Sequence, residues 1–255
     1  MDEFIEGTEF DLFGKRHKVY SEQYAIKAIY NNSQIFRSFY NTQRNKLGKI
    51  MWLVDNALSA NMRCIRIEGF DAIITKSMPI EDINTFDTAH EIQHLIFGME
   101  GYPSMCYSEY GTTLNLDMKY IASVLNTVND PMVNKRLATF GFDLLSYYNK
   151  ASRIQKIWRQ DMDVTLFNKL GTLLEVCLYI QKSLDWDIVA EVTNEQHNKF
   201  IEWYDYRFPN ISKEAKPLIK YIKDTGYDTQ KKCEVIFKTI IKQFGQEKVM
   251  CVTYT

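Results

Sequence analysis

The apolar positions of this 255-residue chain change period twice along its length. Over residues 20–58 they recur at helical spacing, with Tyr24, Ile26, Ile29, Ile35 and Phe36 among them, which predicts two helices broken near Gly48. The texture then shifts to two short β-branched runs, 62–68 and 70–75, joined at Gly69, and these predict a hairpin or a pair of strands. After Pro79 helical spacing returns. A helix should begin between Glu81 and Thr85, with Asp82, Asn84 or Thr85 as N-cap, and stop at the glycines of 98–101 before Pro103.

Beyond an irregular Tyr- and Ser-containing stretch, residues 115–129 read as helix, and Pro131 starts another behind Asp130. The remainder is helical in pattern, over about 131–160, 164–184, 188–206, 211–224 and 228–244, and Val249–Thr255 reads as a short strand or a loose tail. The expected fold is therefore α+β and mainly helical, with a small sheet placed early. No repeat or linker divides it. A division into 1–160 and a helical 161–255 is the best boundary, near Asp161–Asp163, and a single domain is the alternative.

Chemistry concentrates in one predicted helix. His90-Glu91-Ile92-Gln93-His94 has the form HExxH, and the chain has only four histidines in all. Positions i and i+4 lie one turn apart on the same helix face, so both imidazoles can reach one ion. Glu91 can lean towards a metal-bound water as general base. Composition alone would produce this pattern about once in several hundred such sequences. Chance is a weak explanation.

Catalytic zinc needs three protein ligands and an open position, so a third ligand must come from elsewhere. The metzincin register fails, because Phe97 stands where its glycine belongs and Glu100 where its third histidine belongs. Glu100 could still ligate after a suitable turn. Gly111-Thr112-Thr113-Leu114-Asn115-Leu116-Asp117 matches an aspzincin run only weakly, leaving Asn115 and Asp117 as lesser candidates beside Glu109. Asp130 lies downstream, on or beside the next predicted helix, as the third ligand of gluzincin-type enzymes does.

The segments Ala89–Leu95, Glu100-Gly101-Tyr102-Pro103, Asn129-Asp130-Pro131 and Phe140-Gly141-Phe142-Asp143 resemble a poorly characterised bacterial family of zincin-like HExxH metallopeptidases. The resemblance covers about residues 86–145. It implies a zincin-type fold and a Zn2+ cofactor held by His90, His94 and a ligand at the Asp130 position, where that family carries histidine or an acid. It also implies a peptide or protein substrate, attacked by water that Glu91 activates. Zincins set an edge strand beside the metal for an extended peptide, and residues 62–75 offer one. Tyr102, Tyr107 and Tyr110 are the candidate oxyanion donors, and Asp87 could orient a histidine. The alternative is a zincin-fold metal-binding module that regulates or docks without cleaving peptides.

Other features narrow the setting. The formal net charge is −1, from 31 basic and 32 acidic residues, which gives no electrostatic reason to expect nucleic acid or an anionic membrane as partner. Apolar runs are too short to span a bilayer, and the acidic start Met1-Asp2-Glu3 is unlike a secretory signal. Five scattered cysteines, with no CxxC pair, point to a reducing cytoplasm and to small buried side chains rather than disulfides. His17, in the basic run 15–18, and His197, on a polar helix face, are expected at the surface.

Overall fold

The computed structural model describes residues 9–12, 14–58, 60–67, 70–76, 84–150 and 168–254. The expected turn at Gly69, the helix start at Glu81, the candidate cap Asp82, and the boundary near Asp161–Asp163 lie outside the described residues. The chain folds as an α+β protein, mainly helical, with a small N-terminal sheet. It forms two compact units, Met1–Gly101 with Thr139–Phe142, and Tyr102–Ala138 with Asp143–Tyr254.

The first unit holds strands β1 (Glu9–Leu12) and β2 (Lys15–Tyr20), helices α1 (Glu22–Asn32) and α2 (Gln34–Gln43), strands β3 (Ile50–Val54), β4 (Met62–Ile67) and β5 (Phe70–Thr75), and helix α3 (Thr85–Met99). The sheet order is β1-β2-β3-β5-β4, all antiparallel except β3 with β5. The expected β4–β5 hairpin is present, and β4 lies at the sheet edge.

Two expectations need correction here. The helical run breaks at Ser33 rather than near Gly48: Ser33 is extended, and its hydroxyl accepts from Phe36 N–H at 3.1 Å to start α2. Residues 50–54 are a strand and not helix. Ile-Met-Trp-Leu-Val is apolar at every position because β3 runs through the middle of the sheet, covered on both faces, so its periodicity is silent. One face carries Leu53, Ala72 and Ile74 against Leu12, Val19 and Leu58. By the strand's alternation, Trp52 and Ile73 point to the other face.

His17 is also not a surface residue. It is 4% exposed on β2, and its Nδ1–H donates to the Val54 carbonyl at 3.2 Å. The run 16–19 alternates, Arg16 and Lys18 outward, His17 and Val19 inward.

The second unit holds β6 (Ser104–Tyr107), α4 (Glu109–Thr113), α5 (Lys119–Ala138), a helical run at 144–150, α6 (Lys169–Ile188), α7 (Ala190–Arg207), α8 (Pro209–Thr225), α9 (Gln230–Gln243) and β7 (Met250–Thr253). The irregular stretch thus contains a strand and a short helix, and the tail is β7, paired antiparallel with β6. Pro131 does not begin a helix. It is buried inside α5, which runs through it and packs against α6 with Val124, Val128 and Val133 fully buried. The bond lost for want of an N–H is outweighed by that packed face. His197 is half-buried on α7 and lies 3.9 Å from Asp187, and burial lowers its pKa below 6.5. No described helix is long and apolar enough to cross a membrane.

Candidate metal centre

Helix α3 starts as its sequence predicts. Asn84 caps it, its side-chain oxygen accepting from Phe86 N–H at 2.8 Å, and Gly101 follows its end at φ 77°. Ala89, Ile92, Leu95, Ile96 and Phe97 are buried, which turns His90, Glu91 and His94 to the half-buried border of the helix. The two histidine rings sit 4.6 Å apart between centroids, with their Nε2 atoms 3.0 Å apart. Two zinc–nitrogen bonds of about 2.0–2.1 Å in tetrahedral geometry would separate the nitrogens by about 3.3 Å, so the pair is nearly set for one ion. The His90 ring also rests on Phe86, which meets Phe142 edge-on at 6.0 Å.

Glu91 is positioned by the sheet. Its Oε2 accepts from the backbone N–H of Cys64, on β4, at 2.8 Å. Burial, and then the charge of Glu91, push the Cys64 thiol well above its usual range. Arg66, one position further on the same strand face, pairs with Asp71 at 2.7 Å and donates to the Leu95 carbonyl at 2.8 Å. Strand β4 thereby holds both the middle and the end of α3.

Asp130 is fixed from α6. Gln181 donates through Nε2 to Asp130 Oδ2 at 2.5 Å. The next turn of α6 carries a buried ionic cluster: Lys182 lies 3.0 Å from Asp185 Oδ2, and Asn134 donates to Asp185 Oδ1 at 2.7 Å. Burial raises the Asp185 carboxyl, the charge of Asp130 raises it further, and Lys182 opposes both.

The ligand atoms of His90, His94 and Asp130 all lie within 4.8 Å of one another, the one such group among the described residues, and these three side chains could hold a metal ion. The other candidates are engaged differently. Glu100 closes the end of α3 and pairs with Lys46 at 3.3 Å. Asp117 caps the start of α5 by accepting from Lys119 N–H at 2.9 Å, and Asn115 takes a left-handed φ of 47°. Glu109 lies in the first turn of α4, and Asp87 in that of α3. Of the tyrosines, Tyr102 donates to the Asp228 carbonyl at 3.1 Å and Tyr107 to the Asp117 carbonyl at 2.6 Å, while Tyr110 is 57% exposed. Sequence reasoning missed Gln181 and the Cys64 amide. Neither has a spacing that announces it, since both act across elements.

No family model, curated protein or solved structure matches this chain.

Proposed function

We propose that this protein is a zinc-dependent hydrolase of zincin-like type, acting on peptide bonds, with His90, His94 and Asp130 as metal ligands and Glu91 as general base. The observation that carries this reading is the convergence of two imidazoles and one carboxylate within 4.8 Å. Two nitrogens and one carboxylate oxygen form a three-ligand set that leaves a position for water. When bound there, zinc would supply Lewis acidity and lower the pKa of a bound water towards neutrality. Glu91, held at one oxygen by the Cys64 amide, has its second oxygen to accept that water's proton and pass it to a leaving nitrogen. A peptide substrate is favoured because β4, against which α3 packs, is an edge strand.

A second reading is a metal-binding regulatory or interaction module without peptidase activity. It is favoured by the tyrosines, because Tyr102 and Tyr107 already give their hydroxyl protons to backbone carbonyls. Purified protein, reconstituted with zinc and desalted, should retain one equivalent of metal that His94→Ala and Asp130→Asn lose. A wild-type protein without metal overturns both readings. Metal retention with cleavage of an unstructured protein substrate, abolished by Glu91→Gln, selects the hydrolase. Retention without cleavage selects the module.

A further inference from the structure

Cys106 and Cys251 face each other directly in the β6–β7 ladder, although 145 positions separate them in sequence. Opposed residues of an antiparallel pair have Cα atoms about 4.5–5.5 Å apart, inside the span of about 4.4–6.8 Å that a disulfide bridges. Their sulfurs are 3.2 Å apart and both are thiols. Each Sγ also lies near the other residue's carbonyl oxygen, at 3.9 and 3.8 Å, so both side chains already point into the space between the strands. The two residues are half-buried, within reach of a small reagent from solvent, whereas Cys177 and Cys233 are fully buried.

We propose that Cys106 and Cys251 are a site of reversible disulfide formation, oxidised by low-molecular-weight disulfides, that staples β7 onto β6. The order of steps follows from the surroundings. Burial, and then the adjacent Cys251, push the Cys106 thiol up to about 11, which makes Cys106 the poorer first nucleophile towards a small disulfide. The Cys251 thiolate attacks one sulfur of the small disulfide, forming a mixed disulfide and expelling one small thiolate. Cys106, its proton lost to solvent, attacks the Cys251 sulfur and expels the second. Two protein thiols are oxidised, one small disulfide is reduced to two thiols, and the protons end on those thiols. The staple closes a loop of more than a hundred residues, for which chain-entropy arguments give a large stabilisation of the folded form. It acts on β6, which packs against α5, and on β7, which packs against α9.

The test is incubation of the whole protein with glutathione disulfide, followed by alkylation of remaining thiols and peptide mapping without reduction. A cross-linked peptide joining Cys106 to Cys251 is expected, with a Tm rise of roughly 5–10 °C that dithiothreitol reverses. Cys251→Ser should lose both the cross-link and the Tm rise. Full alkylation of both cysteines after oxidation overturns the proposal, as does a glutathione adduct that persists on Cys251 without ring closure. The mapping is done on the wild-type chain, so it decides the question even if a serine variant folds poorly. It is equally independent of whether His90, His94 and Asp130 bind metal.

Discussion

The backbone amide of Cys64 donates to the side chain of Glu91, so the residue proposed as general base is anchored by main chain, which no side-chain substitution at position 64 removes apart from proline. Glu91→Gln keeps a carbonyl acceptor for that amide, whereas Glu91→Leu leaves it without one. The expected result is a Tm within about 2 °C of wild type for Glu91→Gln, and a loss of about 1–3 kcal/mol for Glu91→Leu by chemical denaturation. Equal stability of the two variants would show that the bond contributes nothing to the fold.

Gly98 gives the Arg66 guanidinium room at the end of α3. A Cβ there would come 2.5 Å from Arg66 Nη1 and 3.0 Å from Cζ. Arg66 cannot simply swing aside, because it is tied to both Asp71 and the Leu95 carbonyl. Gly98→Ala should therefore destabilise by about 1–3 kcal/mol, read as a fall of several degrees in Tm. Gly48→Ala is the control: a Cβ there meets nothing within 4 Å, and its Tm should not fall.

Gln181 fixes one oxygen of Asp130. Its replacement by leucine removes the donor while keeping a side chain of similar size on a buried face of α6. If Asp130 ligates metal, Gln181→Leu should weaken zinc binding about 10–100-fold in a competition assay against a chelating dye. Unchanged affinity would mean that the carboxylate needs no such orientation.

Lys182 and Asp185 form a buried pair, their side chains 11% and 0% exposed. Lys182→Met leaves the buried Asp185 without its cation, and should cost about 3–5 kcal/mol at neutral pH. The loss should shrink in acid. Burial raises the Asp185 carboxyl above 3.8, so the native state keeps a proton that the unfolded chain loses above that pH. The stability linked to that proton is fully present below pH 3.8 and is lost as pH rises through the raised value. Removing Lys182 raises the carboxyl further and widens that window. Denaturation of Lys182→Met at pH 5 and pH 7 measures it; a variant no less stable at pH 7 than at pH 5 contradicts the account.

Much of the region around α3 was legible in the sequence, for local reasons. Asn84, the apolar spacing from Ile92 to Phe97 and the glycine at 101 are short-range signals, and each does in the structure what it predicts. The β4–β5 hairpin was legible from its β-branched runs. Strand β3 was not, because a strand buried on both faces has no alternation to distinguish it from a buried helix. His17 was hidden among charges whose alternation is visible only once β2 is known to be a strand. The structure brings Asp130 within 4.8 Å of His90 and His94, but its helical setting was not legible: Pro131 looks like a helix start, and only the packing of α5 on α6 carries the helix through it.

The pairing of β6 with β7 has a consequence for how the protein is made. Ser104 to Tyr107 leave the ribosome long before their partners Met250 to Thr253, so β6 must wait for a strand synthesised about a hundred and forty residues later. During that interval the first unit, including α3 and its two histidines, already has its whole sheet available to fold against. Helix α5, which carries Asp130 and packs against β6, gains its final support last. Long-range pairings of this kind are slow to form, so β6 and β7 should join late, after the strands of the first unit have paired.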